Sequence, residues 1–437
     1  MPRLYPILLY FLGGVAFADT SAPVIPDTRA GHTLGLWLDA FNSGEPARIE
    51  TFRNAHASWV DLDWLMKVRA ATGGYHLLAI ESSQQTDIIF RMKERASTSE
   101  MIGRIQVTTS NPLVVTEFGL FPIPTGAKFK AVSLDAAARE QVIKKVAGIL
   151  DESYVFPDVA KQMAVTLQTR EKDGEYNPFV DGEDFARKLT HDLQGVSHDK
   201  HVEVRFSFVV QPADVFAKRA EDDPTLRKRL IAINCGFEKV EQLPPNIGYL
   251  KFNIFADSEI CAATAIAAMK SLADSDALII DLRDNNGGRP GMVTLIASYL
   301  FKERTHLNDA YIRKENITKQ SWTSVDVPGK KFLDKPVFVL TSKATFSAAE
   351  DFSYALKNLK RAILIGETTG GGAHPVEPRR IDDNFFIIVP SGRSISPITK
   401  TDWEGTGVEP NVRVPAKDAL AEALKRARRA VRTSNHH

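Results

Sequence analysis

The run DALIIDLRDNNGGRPGMV, residues 276–293, reads as a short buried strand, a glycine turn and the start of a helix. Three further apolar runs share its character: NIGYLKF (246–252), PVFVLTS (336–342) and RAILIGE (361–367). Helical segments near 260–273, 290–302 and 347–360 fall between them. Strands alternating with helices predict an α/β core of right-handed βαβ units around a largely parallel sheet. In such sheets ligands and reacting groups gather where the strands end. The loops DLRDNNGG (281–288) and TFSAAE (345–350) both lie at such ends.

Outward from this core, the segment 130–206 reads as helical. SLDAAAREQVIKKVAGIL (133–150) carries Val142, Val146 and Ile149 on one face, and a second helix is expected around GEDFARKLTHDL (182–193). In GVSHDKHVEVRFSFVV (195–210), Val202, Val204 and Phe206 alternate with Glu203 and Arg205, as in a half-buried strand, which puts His201 at its start. Nearer the N-terminus, Leu34, Leu36, Trp37, Leu38 and Phe41 favour a helix over 31–42, and four β-rich runs follow it. Helices first and strands after predict a small α+β domain over 28–123, which resembles the cone of nuclear-transport-factor-like domains. PIPTGAKFK (122–130) reads as a linker.

The chain has 437 residues, 43% hydrophobic and 25% charged, with a formal net charge of +1. These are the proportions of a folding, multidomain protein, with no overall field to gather nucleic acid. Residues 1–18 have the form of an export signal: Arg3, an apolar stretch from Leu4 to Val15, then Ala16-Phe17-Ala18. The expectation is an exported chain, periplasmic or extracellular, with no stable membrane insertion. Cys235 and Cys261 are either a disulfide pair or two buried thiols. The remaining parts are 207–418, the core proper, and a basic C-terminal tail, 419–437, in which KRARRAVRTSNHH (425–437) is expected to be a solvated helix end. No pattern sets an oligomeric state.

Ser347 begins the S-x-x-E sequence Ser347-Ala-Ala-Glu350, the form of a capping box, and also stands at a strand-to-helix junction where a nucleophile can be presented. At a helix start the amide of Ala348 points to the same side as the serine, and Gly287 or Gly288 can bring a second amide, so a developing oxyanion would meet two donors. A base is needed to take the hydroxyl proton.

Five segments carry a family resemblance: SHDKHVEV (197–204), LIIDLRDNNGG (278–288), VLTSKATFSAAEDF (339–352), LIGETTGGGAHP (364–375) and DWEGTGVEPNV (402–412). In this order they resemble the tail-specific, or C-terminal processing, serine peptidases, in particular the branch with the tricorn core protease and the interphotoreceptor retinoid-binding protein modules. The resemblance implies a ClpP/crotonase-like core and peptide-bond hydrolysis, with a polypeptide as substrate. Processing members use a serine and a lysine, the lysine lying in a G-K-G segment; here Gly371-Gly372-Ala373 stands in its place. Tricorn-like members use a histidine in a D-x-H segment and a glutamate before G-V-x-P, which implies His201 and Glu404 as the partners of Ser347. His198 and His374 are the alternative histidines. A PDZ domain, common in the processing members, does not fit between His201 and Ile247. The sequence shows no spacing of metal ligands, so neither a metal nor a cofactor is expected. Other readings of the same residues are a module that binds an apolar ligand without catalysis, and an esterase or amidase.

Overall fold

A computed structural model describes residues 23–123, 134–213, 216 and 224–434. The expected export signal and most of the linker PIPTGAKFK lie outside the described residues. The chain divides into two compact units, 1–132 with 207–233, and 133–206 with 234–437. Residues 207–233 therefore group with the first unit and not with the core to which the sequence reading assigned them. Part of the reason is visible in Val209, which is buried with Ile89 and Ile102 of the first unit's sheet.

In the first unit, helices Arg29–Ser43, Pro46–His56 and Leu62–Thr72 precede a four-stranded antiparallel sheet of Tyr75–Ser83, Asp87–Glu94, Glu100–Val107 and Val115–Ile123. The first helix starts where the Thr28 side chain accepts from the Gly31 amide, and ends at Gly44 in the left-handed region. Its inner face, Leu34, Trp37, Leu38 and Phe41, is buried in one cluster with Tyr75, Ile88, Phe90 and Ile105 of the sheet. Spacings of three and four residues place these side chains on one stripe, and burial of each large one contributes about 2 kcal/mol.

In the second unit, helices Ala136–Ser153, Pro157–Lys172 and Gly182–Ser197 lead to the strand Glu203–Phe206. The central sheet has six strands in the order Val412–Arg413, Ile363–Gly366, Val337–Thr341, Ala277–Asp281, Ile247–Phe252 and Phe237–Leu243. All neighbours are parallel except the last two strands, which form an antiparallel hairpin. Every residue of Ala277–Asp281 and of Val337–Thr341 is buried, which explains their unbroken apolar character. Two small antiparallel sheets flank this one. One joins Ile317–Trp322, His306–Ile312 and Gly392–Ile395; the other joins Val376–Arg380, Phe385–Pro390 and Glu203–Phe206.

The C-terminal segment corrects the expectation of a solvated tail. Ala419–Ser434 is a helix in which Ala419, Ala423, Ala427 and Val431 are buried against Tyr249, Ile279, Phe338, Leu340 and Ile365 of the central sheet. The four-residue spacing of small side chains lets the helix lie close to the sheet while its arginines and lysines face outward. Cys235 and Cys261 form a disulfide that ties the start of the edge hairpin to the helix Ser258–Ser271. No helix among the described residues is long and apolar enough to cross a membrane.

Candidate active site

The parallel strands Ala277–Asp281, Val337–Thr341 and Ile363–Gly366 end on the same edge of the sheet, and the loops that leave them are bonded to one another. Thr345 Oγ1 donates to the Leu282 carbonyl at 2.8 Å, the Phe346 amide to the Asn285 carbonyl at 3.0 Å, and the Gly370 amide to the Thr345 carbonyl at 2.9 Å. The segment before Val412 joins them. Gly405 N donates to Gly371 O at 3.0 Å, and Trp403 Nε1 to Gly372 O at 2.8 Å. The Lys200 ammonium bonds the Gly370 carbonyl, which brings in the 199–201 turn. All five sequence segments singled out above thus meet in one place.

Ser347 stands immediately before the helix Ala348–Asn358 with φ 53° and ψ −119°. A residue with a Cβ rarely adopts this conformation, and holding it costs about 1–3 kcal/mol. A sharp turn from strand to helix with such a residue at its apex presents a side chain above the sheet edge, the geometry of a nucleophile elbow without G-x-S-x-G. Glu350 holds the turn. Its carboxylate is fully buried and accepts from the Ser347 amide (2.8 Å), Thr369 Oγ1 (2.5 Å), the Gly371 amide (2.7 Å) and the Gly372 amide (2.8 Å). Burial raises its pKa, and these four donors work against that rise. The Glu350 amide itself is satisfied by the Ser347 carbonyl at 2.8 Å, so the turn does not need the serine hydroxyl as its cap.

Gly287 lies directly against the serine. A Cβ there would sit 2.8 Å from Ser347 Cβ, 2.8 Å from Phe346 O and 2.9 Å from Ala348 N, at a φ of +101°. Its own amide donates to Asn285 Oδ1 at 2.9 Å. Gly287 is therefore a spacer, which corrects its expected role as a donor. The amides of Gly288 and Ala348 have no protein acceptor among the described residues. Two such amides beside an elbow, one of them at a helix start, suit an oxygen that gains negative charge.

His201 is almost enclosed. Its ring packs on Phe346, the residue before Ser347, with centroids 4.7 Å apart, and neither ring nitrogen has a hydrogen-bond partner. Burial pushes its pKa down to about 4, against the pull of Asp199, whose Oδ1 is 3.9 Å from Nδ1, so the imidazole is neutral. Asp199 also accepts from the His201 amide at 2.9 Å. No hydrogen bond joins His201 to Ser347.

The structure places Glu404 beside His374 and not beside His201. Glu404 Oε2 accepts from the Ala373 amide at 2.5 Å and lies 3.6 Å from His374 Nδ1, which is bonded to Asp199 Oδ2 at 2.6 Å. Burial would lower the His374 pKa, but Asp199 and Glu404 outweigh it and raise it. Burial and the charge of Asp199 push Glu404 up to about 7. His198 is exposed and ends the helix Gly182–Ser197 in the left-handed region, its amide bonded to Gln194 O. The sequence reading gave no role to Asp199 or Asn285, which stand inside quoted motifs, and it read Glu350 as a helix cap but not as a tie to the 369–372 loop.

Residues 246–414 match the family model of peptidase family S41, and residues 130–234 match the N-terminal domain of peptidase S41 in eukaryotic IRBP. The chloroplastic carboxyl-terminal-processing peptidase 1 of Arabidopsis thaliana is 29% identical over 194 residues, 43% of this chain and 38% of that protein. The carboxyl-terminal-processing protease of Picosynechococcus sp. is 32% identical over 147 residues, 32% of this chain and 33% of that protein. The chain thus matches little more than a third of the length of these curated relatives. Among solved structures, the tricorn protease aligns over 82% of this chain and 46% of its own, with a TM-score of 0.43 and 13% identity. The two matched segments, which lie between residues 130 and 414, are those of peptidase family S41, a family of serine peptidases.

Proposed function

We propose that the chain is a serine peptidase that cleaves flexible polypeptides, with Ser347 as nucleophile and His201 as base. The observation that carries this reading is the strained Ser347 turn beside two amides without acceptors. Ser347 Oγ attacks the substrate carbonyl while its proton passes to the neutral His201. The oxyanion is met by Ala348 and Gly288. His201 then gives the proton to the leaving amine, and water hydrolyses the acyl-enzyme by the same steps in reverse. Neither nitrogen of His201 is engaged, so no hydrogen bond has to break for its ring to turn toward Ser347 when substrate binds, an adjustment common in apo sites. Asp199 stands behind the imidazole, and Glu404 acts on the array through His374 and the Ala373 amide. The parallel sheet supports a ClpP/crotonase-like core, and the four-stranded sheet on its helix supports a nuclear-transport-factor-like first unit. Export to an oxidising compartment is supported by the disulfide and by the form of residues 1–18.

The test is incubation with an unfolded polypeptide and identification of the products by mass spectrometry. The parent chain is expected to yield discrete peptides, and His201→Ala to slow their formation by about 10³-fold or more. Equal rates would remove His201 from the mechanism. Gly287→Ala would push a methyl group onto Ser347 and the Ala348 amide. We expect it to lower kcat by about 10²–10³-fold, the effect of losing one oxyanion donor.

A further inference from the structure

Asp199, His374 and Glu404 each offer a ligand atom, and these atoms lie within 4.8 Å of one another. The residues come from three distant parts of the chain, which is why sequence spacing showed no such group. Two carboxylates here converge on a single imidazole nitrogen, His374 Nδ1. Glu404 Oε1 is buried with no donor. His201 borders the cluster without being part of it: its side chain is 9% exposed, its nitrogens are unpartnered, and Nδ1 is 3.9 Å from Asp199 Oδ1, the oxygen that His374 does not bond.

We propose that Asp199, His374 and Glu404, joined by His201 once its ring turns toward them, bind a divalent transition-metal cation of the zinc type. Two imidazole nitrogens and two carboxylate oxygens suit four-coordinate Zn²⁺ and not Mg²⁺, which demands six oxygens and keeps its waters. In a tetrahedral site the ligand atoms are about 3.3 Å apart. The 2.6 Å and 3.6 Å separations around His374 Nδ1 bracket that spacing, so these three ligands need only modest shifts, and the His201 ring must turn in to complete the set. The cation takes the place of the proton between His374 and Asp199, which leaves to solvent, and two carboxylates then balance its two charges. Occupancy would also engage His201, so the cation would inhibit the proposed peptidase. That consequence rests on the proposed function, but the binding does not.

Binding is therefore measured on Ser347→Ala protein, by equilibrium dialysis with Zn²⁺ and by the visible spectrum of added Co²⁺. His436→Ala and His437→Ala are included so that the terminal histidines hold no metal. One Zn²⁺ per chain is expected, with the strong visible bands of tetrahedral Co²⁺ and no comparable binding of Mg²⁺. His374→Ala should weaken Zn²⁺ binding by about 100-fold or more, and Glu404→Gln by about tenfold. Thermal unfolding checks the fold of each variant; should His374→Ala unfold, Glu404→Gln decides. No saturable Zn²⁺ binding, or binding that the folded variants leave unchanged, would overturn the site.

Discussion

Ser347→Ala is expected to lower peptide cleavage by about 10⁵-fold, because it removes the only atom that forms the acyl bond and leaves oxyanion stabilisation and binding behind. Its folded state should be hardly affected, since the Glu350 amide is held by the Ser347 carbonyl and the Ser347 amide by the Glu350 carboxylate. Ser347→Gly separates strain from chemistry. It should be as inactive as Ser347→Ala but more stable, by up to about 1 kcal/mol, because glycine adopts φ 53° without a Cβ penalty. Urea midpoints and kcat/KM for the three proteins check both statements. A glycine variant less stable than the alanine one would mean that the turn is not strained.

Glu350→Ala should be the most destabilising single change near the site, by about 3–5 kcal/mol, because it leaves four donors, three of them buried, without an acceptor. The loss would act on two loops at once. One carboxylate joins the serine turn to residues 369–372, and a Cβ at Gly372 would already fall 2.6 Å from His201 Cε1, so displacement of that loop reaches the histidine. Glu350→Gln keeps one acceptor oxygen and turns an NH₂ toward donors, so it should cost about 1–3 kcal/mol. Its kcat should fall more than its KM changes, since what it disturbs is the placing of reacting groups. A Gln variant with parental stability and kcat would show that the carboxylate is replaceable and the tie unimportant.

The core was legible because its strands are covered on both faces. Complete burial of Ala277–Asp281 and Val337–Thr341 demands unbroken apolar runs, and the helices between them are long enough to show their period. The two small antiparallel sheets were not legible. Ile317–Trp322 is largely exposed, so its composition carries no strand signal, and Val376–Arg380 contains Pro378 and two arginines. The terminal helix was misread because its basic residues dominate the composition, while the buried stripe is mostly alanine. Within the site, motifs placed the serine turn and the glycine loop together because parallel strands end on one edge. They did not show that Glu404 would face His374, nor that His374 would bond Asp199 across 175 residues, since both depend on how the 371–375 loop folds over that edge. The roles of the two glycines could not be divided from sequence either, because the Asn285 side chain decides which amide stays free.

The most direct measurement is reaction of the parent chain with a fluorophosphonate, followed by peptide mapping. A single adduct on the peptide that contains Ser347, absent from Ser347→Ala and slowed in His201→Ala, is the predicted result. An adduct on another serine, or equal labelling of parent and Ser347→Ala, would contradict the assignment of Ser347 as the nucleophile.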